Sequence, residues 1–192
     1  MGLAKQAKVL SKRQIALTAA LLAQTRYPTR NVAIFLLSVK AGLRAKEIAG
    51  LTWDMVTDAE GNLGTSLHLR NEASKGASGR VIPLNKELRA ALQGLREQGN
   101  ASPYVITTER SQRTSASAIV NLFAAWYRAA GLQGCSSHSG RRTFITNAAR
   151  TISTVGGSLR DVQMLAGHSA LSTTQRYIEA DAEAQRRVVE LL

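Results

Sequence analysis

Several basic side chains stand beside glycines and predicted helix starts, where they could bind one phosphate. Arg44 begins a short predicted helix, and Glu47 follows it by one turn, so the carboxylate can hold the guanidinium in an i, i+3 pair. His138 and Arg141 are three residues apart at another predicted helix start and fall on the same side of a turn. These two pairs predict a preorganised site for an anion.

Three more side chains could take part in phosphate chemistry. His168 lies between two predicted helices, Tyr177 follows it by nine residues, and Lys75 lies in a polar turn. Taken alone, each has an ordinary interpretation: a helix-capping histidine, a half-buried packing tyrosine and a solvated lysine. The complete set, with two arginines, indicates a reactive site.

Metal and nucleotide sites are not predicted. The histidines His68, His138 and His168 are far apart in the sequence, Cys135 is the single cysteine, and no acidic cluster has ligand spacing. No glycine-rich phosphate loop occurs either, since the glycines near Lys75 lie between predicted strands. We therefore expect chemistry by side chains alone, with no metal and no cofactor.

The charge of the chain indicates a polyanionic partner. Its 192 residues carry 25 Lys and Arg against 13 Asp and Glu, a net charge of +12, and the sequence pI is about 10.7. No acid precedes Glu47, so the N-terminal third is expected to face nucleic acid, whereas the acidic segment after Ile178 is expected to contact protein. With one cysteine, no signal-peptide pattern and no long apolar stretch, we expect a cytoplasmic, DNA-associated protein that does not enter a membrane.

Hydrophobic periodicity predicts a mainly α-helical α+β fold with a small antiparallel β-sheet. Helices are predicted at about 11–24, 28–41, 45–50, 86–98, 114–130, 140–150, 159–166 and 172–180. Strands are predicted at 53–57, 67–70 and 80–83, separated by turn residues. Trp53 and Trp126 are assigned to the core. No repeat or linker divides the chain, which predicts a single domain.

Four motifs, in order, resemble those of the tyrosine recombinases, the phage integrase family. They are Ala41-Gly-Leu-Arg44-Ala-Lys-Glu47-Ile, Ser74-Lys75-Gly-Ala-Ser-Gly-Arg-Val-Ile-Pro-Leu84, His138-Ser-Gly-Arg141-Arg-Thr143, and Leu165-Ala-Gly-His168-Ser with Thr173-Thr-Gln-Arg-Tyr177. The resemblance extends from about Val9 to Ile178. Each motif alone is weak, but their order and spacing together are specific.

The resemblance implies DNA cleavage and rejoining through a 3′-phosphotyrosyl link, independent of metal and ATP. In-line attack places negative charge on the phosphate oxygens, so fixed cations are needed around the phosphorus. The implied roles are a guanidinium clamp (Arg44 and Arg141, with Glu47 in support), a nucleophile (Tyr177), a general base (His138), a phosphate hydrogen-bond donor (His168) and a general acid (Lys75).

The chain also departs from the usual family pattern. Gly140 and Ala166 each stand where leucine is usual, and the chain begins about ten residues before the catalytic region. It is therefore similar to the short, single-domain members such as the fimbrial-switch invertases. The resemblance implies one catalytic domain over 1–192, with a core at about 9–178, a C-terminal tail at 179–192 exchanged between protomers, and no N-terminal core-binding domain. It further implies double-stranded DNA as the partner and a homotetramer in the synaptic complex.

Two alternatives stay open at this point. One is a DNA-binding accessory or regulatory protein that keeps the fold without strand exchange, and the other is a topoisomerase or telomere resolvase using the same chemistry. The full residue set argues against a pure binding module, because binding does not need a tyrosine nucleophile together with Lys75 and two histidines. The sequence does not distinguish integration, excision, inversion and dimer resolution.

Overall fold

The computed structural model describes residues 7–74, 78–99, 101–177, 186 and 188–190. The helices in that part of the chain are α1 (Lys12–Leu22), α2 (Pro28–Ala41), α3 (Ala45–Ala49), α4 (Lys86–Arg96), α5 (Ala116–Ala129), α6 (Ser139–Thr151), α7 (Leu159–Ala166) and α8 (Leu171–Gln175). Strands β1 (Ser66–Leu69) and β2 (Arg80–Pro83) pair antiparallel. The predicted fold class, mainly helical with a small antiparallel sheet, is confirmed.

Local signals fix the helix ends. Ser11 caps α1 in a reciprocal capping box with Gln14. Pro28 occupies the first turn of α2, where its missing N–H costs nothing, and Gly42 ends that helix in the left-handed conformation at φ 65°. The Gly42 turn matters for the site because Arg44 follows it directly.

Helix α2 runs through the centre of the main hydrophobic core. Ile34, Phe35 and Leu37 are fully buried, and α2 packs against α4 and α6. A second, smaller cluster of Ile145, Val162 and Ala166 joins α6 to α7. The candidate site residues lie where these two clusters meet.

The sheet is a two-stranded hairpin in the described residues, smaller than predicted. The register places Leu69 opposite Arg80 and Leu67 opposite Ile82, and all four side chains point inward. Arg80 is thus a charged residue on a buried face.

The predicted strand at 53–57 is wrong. Residues Trp53–Met55 form a 3₁₀ turn, in which the amide of Val56 bonds to the carbonyl of Trp53 across 2.9 Å. Trp126 is buried as predicted, whereas Trp53 only packs against the edge of the core, with the Arg96 guanidinium 5.7 Å from its ring centroid.

The last predicted helix is shorter in the structure. Helix α8 ends at Gln175, and residues 178–180 of the prediction lie outside the described residues. Most of the predicted tail at 179–192 lies outside them as well. Among the described helices, none has the length and apolar character that a bilayer crossing requires.

Candidate active site

Arg44 is held by Glu47, as the i, i+3 spacing predicts. The Arg44 guanidinium donates to Glu47 Oε1 across 2.7 Å, and the Arg44 backbone amide donates to Oε2 across 2.8 Å. The carboxylate is fully buried, whereas the Arg44 side chain keeps 23% of its surface exposed. Glu47 therefore fixes an arginine whose outer edge faces solvent.

A third guanidinium, that of Arg80, completes the surroundings of Glu47. Arg80 Nη1 and Nη2 donate to the two carboxylate oxygens across 3.1 and 2.9 Å, and Nε donates to the carbonyl of Leu165 across 2.9 Å. Burial raises the pKa of Glu47, but the hydrogen bonds and charge of Arg80, aided by Arg44, outweigh it and hold that pKa below its usual value. Glu47 is therefore ionised.

Arg141 turns inward from α6 and binds two backbone carbonyls. Its Nη1 donates to Gly42 across 2.7 Å and its Nη2 donates to Ala166 across 2.6 Å, and the residue is 4% exposed. Burial, then the charges of Arg44 and Arg80, lower the pKa of Arg141 to about 10. The side chain is still cationic at neutral pH.

His168 is neutral and its tautomer is fixed by two neighbours. Nε2 lies 3.1 Å from Arg141 Nη2, and Nδ1 lies 2.9 Å from the hydroxyl of the buried Thr174. A guanidinium only donates, so Nε2 accepts and Nδ1 carries the proton. Burial, followed by the charge of Arg141, lowers the pKa of His168 to about 4.

Tyr177 lies beside this histidine. The two rings stack with centroids 5.5 Å apart and an interplanar angle of 27°. The Arg142 guanidinium lies 5.9 Å from the Tyr177 ring centroid, and the Thr146 hydroxyl donates to the Tyr177 carbonyl across 3.3 Å. The tyrosine is thus held by α6 and by the histidine.

One predicted residue, His138, is not part of this contact network in the described residues. His138 occupies the N-cap position of α6 and is exposed, and within the described residues its ring makes no hydrogen bond or stacking contact with Arg141, His168 or Tyr177. Lys75 lies outside the described residues.

An open cleft of about 850 Å³ adjoins the cluster. Its lining includes Arg44, Arg80, Arg160, His168 and Thr173. Arg44 and Arg80 bind the carboxylate of Glu47, and the charges of both act on Arg141, so positive charge exceeds negative charge among the described residues of the site. Such a cleft favours an anion such as a phosphodiester. In the described part of the chain, no three His, Cys, Asp or Glu side chains are grouped so that they could hold a metal ion.

The sequence model of the phage integrase family matches residues 8–184 of this chain. The chain belongs to the phage integrase family. It is 29% identical to the tyrosine recombinase XerA of Thermococcus kodakarensis over 190 residues, covering 95% of this chain and 62% of that protein. It is 32% identical to the tyrosine recombinase XerA of Thermococcus onnurineus over 165 residues, covering 84% of this chain and 55% of that protein. The chain thus spans 62% of the length of the first relative and 55% of the length of the second.

Solved structures share the fold. A crystal structure of XerA recombinase matches 95% of this chain and 64% of its own with a TM-score of 0.75 at 24% identity. The Tn1549 transposon integrase in complex with transposon right end DNA matches 100% of this chain and 67% of its own with a TM-score of 0.77 at 18% identity. The fold is that of the tyrosine recombinase catalytic domain.

Sequence reasoning missed two residues of the cluster, Arg80 and Thr174. Both lie inside the recognised motifs. Thr174 binds His168, six positions away in the same motif, whereas the partners of Arg80 are distant: Glu47 is 33 positions away and Leu165 is 85 positions away. A signal was present at Arg80, since a charged residue two positions before Ile82 falls on the same, inward face of its strand.

Proposed function

We propose that this phage integrase family member cleaves and rejoins double-stranded DNA at specific sites through a 3′-phosphotyrosyl intermediate. One observation carries the proposal: the Tyr177 ring stacks on His168, whose Nε2 is bonded to the buried Arg141. The candidate nucleophile Tyr177 therefore lies next to the candidate phosphate ligand His168, which contacts the cation Arg141. Residues 9–178 are proposed to be the catalytic domain.

The proposed chemistry depends on fixed positive charge. The Tyr177 oxygen attacks the phosphorus and the 5′-oxygen of the next nucleotide leaves, so negative charge grows on the non-bridging oxygens. Arg44 and Arg141 are the proposed clamp, because guanidiniums stay protonated. Arg141 is 4% exposed and its terminal nitrogens bind Gly42, Ala166 and His168, so it would reach a phosphate through the N–H that bonds His168 in the free protein. Glu47 sets the direction of Arg44 from a fully buried position.

Two proton transfers accompany the attack. The Tyr177 phenol must lose its proton to attack, for which His138 is the proposed base. The leaving alkoxide must gain a proton, for which Lys75 is the proposed acid. The phosphotyrosyl ester conserves the energy of the broken bond, so religation by a 5′-hydroxyl needs neither ATP nor hydrolysis.

His168 would contact the phosphate after a change of partner. Its Nε2 is occupied by Arg141 in the free protein and can donate only when it carries a proton. A bound phosphate supplies both an acceptor and a negative charge that raises the pKa of the ring. We propose that DNA binding exchanges the Arg141 bond for a phosphate bond.

The partners are proposed to be double-stranded DNA and further copies of this chain, four in the synaptic complex. A net charge of +12 supports binding to DNA. Val188 and Val189 of the acidic tail are 57% and 69% exposed, which supports contact of this helical segment with another protomer. Deleting residues after Ala180 is expected to preserve DNA binding and abolish recombination; unchanged recombination would refute tail exchange.

The function is tested by trapping the covalent intermediate. Wild type and Tyr177→Phe are incubated with a labelled pool of native flanking duplexes that carry nicks, so that the cleaved strand diffuses away. A detergent-resistant protein–DNA band with wild type and none with Tyr177→Phe supports the proposal. DNA binding without any covalent band would favour the accessory protein instead.

A further inference from the structure

We propose that Arg80 is a positioning residue for DNA cleavage, because it orients Arg44 through Glu47 and fixes the end of α7 that carries His168. The inference rests on the proposed function and adds a residue to it. Arg80 belongs to β2, Glu47 to α3 and Leu165 to α7, so one side chain joins three separate elements.

The guanidinium of Arg80 is held in one orientation by hydrogen bonds to its partners. Its two terminal nitrogens match the two oxygens of Glu47, and Nε reaches the Leu165 carbonyl. A fourth bond runs from Nη1 to the carbonyl of Ser78 across 3.3 Å. With so many donors used, little of the guanidinium is left for a substrate.

Exposure separates Arg80 from Arg44. The Arg80 side chain is 4% exposed and that of Arg44 is 23% exposed, although both bind the same carboxylate. Arg44 can therefore meet a phosphate in the cleft, whereas Arg80 acts through Glu47.

Glu47 has no spare acceptor while Arg80 is present. Each carboxylate oxygen accepts one bond from Arg44 and one from Arg80. Without Arg80, two acceptor sites of a fully buried carboxylate become vacant. The Arg44 guanidinium, which already donates to Oε1, can fill them by turning from the cleft towards Glu47.

Gly167 provides the room that Arg80 needs. It has φ 62°, and a Cβ at this position would lie 2.9 Å from Arg80 Cδ and 3.0 Å from Nη1. Arg80 binds the carbonyl of Leu165, and Arg141 binds that of Ala166, the next residue. The glycine before His168 is thus explained by the close approach of Arg80 to the end of α7.

The test compares single-turnover cleavage rates and DNA affinities of four variants: Arg80→Met, Arg80→Lys, Glu47→Gln and the double variant Arg80→Met/Glu47→Gln. Arg89→Met is the matched control, because Arg89 also donates to backbone carbonyls, those of Leu63 and Gly64, but lies outside the site. Folding of each variant is checked by thermal melting.

We expect Arg80→Met to cleave about 100-fold more slowly at saturating DNA, with affinity changed by less than about threefold. Arg80→Lys keeps the charge but lacks the paired donors of the guanidinium, and it should cleave about tenfold faster than Arg80→Met. The double variant should be about as slow as the slower single variant, because both changes remove the same interaction, that of Arg80 with Glu47. Arg89→Met should cleave like wild type.

Wild-type cleavage by Arg80→Met or Arg80→Lys would overturn the inference, and so would losses that multiply in the double variant, since these would indicate a direct contact with phosphate. If Arg80→Met does not fold, Arg80→Lys decides: slower cleavage at unchanged affinity supports the inference, and wild-type cleavage overturns it.

If wild type forms no covalent adduct, the proposed function fails and Arg80 is judged in the DNA-free protein. The ¹⁵N shifts of the His168 ring distinguish its tautomers. A mixture of tautomers in Arg80→Met would support the positioning of His168 by Arg80 through the end of α7, and unchanged shifts would overturn it.

Discussion

The guanidinium of Arg141 donates to Nε2 of His168 across 3.1 Å, so a cation and a neutral imidazole are paired in the free site. This pairing fixes the tautomer and leaves Nδ1–H to the Thr174 hydroxyl. A phosphate that binds His168 Nε2 must therefore replace the bond from Arg141.

The first prediction concerns pH. The pKa of His168 is lowered to about 4, against about 6.5 in an unfolded chain, so between these values the unfolded state binds the extra proton. Stability should therefore fall as pH decreases from about 6.5 to about 4, by about 1 kcal/mol for a half-buried ring. Denaturant unfolding of wild type and His168→Asn at several pH values measures this.

The variant supplies the reference for that experiment, because it lacks the titrating ring. The difference between the two unfolding free energies should change across the pH window and be constant above it. A difference that is flat from pH 7 to 4 would contradict the assignment of a neutral His168.

The second prediction concerns the two carbonyls that Arg141 binds. A lysine at this position keeps the charge but cannot reach both Gly42 and Ala166. Arg141→Lys should lower the free energy of unfolding by about 1–3 kcal/mol and slow cleavage by about 10²–10³-fold. Chemical denaturation and single-turnover cleavage measure the two losses; full activity would remove Arg141 from the clamp.

The third prediction concerns Gly140, in the first turn of α6. Gly140 is buried against Ser38 of α2, and a Cβ here would overlap Ser38 Oγ and lie 2.9 Å from Ser38 Cβ. Gly140→Ala should therefore cost about 1–3 kcal/mol of stability. Thermal and denaturant unfolding check the loss.

Ser38 provides the matched second variant. Its hydroxyl is buried and, in the described residues, has no hydrogen-bond partner, so Ser38→Ala alone should be neutral or stabilising. The double variant should recover part of the Gly140→Ala loss. Strictly additive effects would show that the two residues do not share this space.

The fourth prediction tests Lys75 as general acid. A bridging 5′-sulfur leaves as a thiolate, which needs no proton, whereas the 5′-oxygen does. Lys75→Ala should be about 10²–10⁴-fold slower on ordinary DNA and close to wild type on a 5′-phosphorothiolate duplex. Arg141→Ala serves as the comparison, since the sulfur should not restore its activity. A Lys75→Ala defect that persists with sulfur would assign the acid elsewhere.

Local signals in the sequence were sufficient for most of the helices. Ser11, Pro28 and Gly42 act within one or two turns, and the ends they predict are confirmed. The strand predicted at 53–57 does not form, because the conformation of this segment depends on a contact distant in sequence. The Trp53 amide donates to the carbonyl of Pro103 across 2.9 Å. No pattern in residues 53–57 contains that contact.

The same distinction applies to the candidate site. The pair of Arg44 and Glu47 is three residues apart and was predicted, whereas Arg80 was missed because its partners come from other elements. Spacing also suggested that His138 and Arg141 share a helical face. His138 is the N-cap, before the regular turn, and Arg141 points into the core, so the i, i+3 rule does not bring them together.

The central claim is that the Tyr177 oxygen becomes bonded to DNA phosphorus, and peptide mapping tests it most directly. Wild type trapped on nicked duplex is digested with nuclease and protease, and the modified peptide is sequenced by mass spectrometry. The account predicts a nucleotide remnant on Tyr177 and no adduct in Tyr177→Phe. A remnant on another residue, or an equal yield of adduct from Tyr177→Phe, would contradict it.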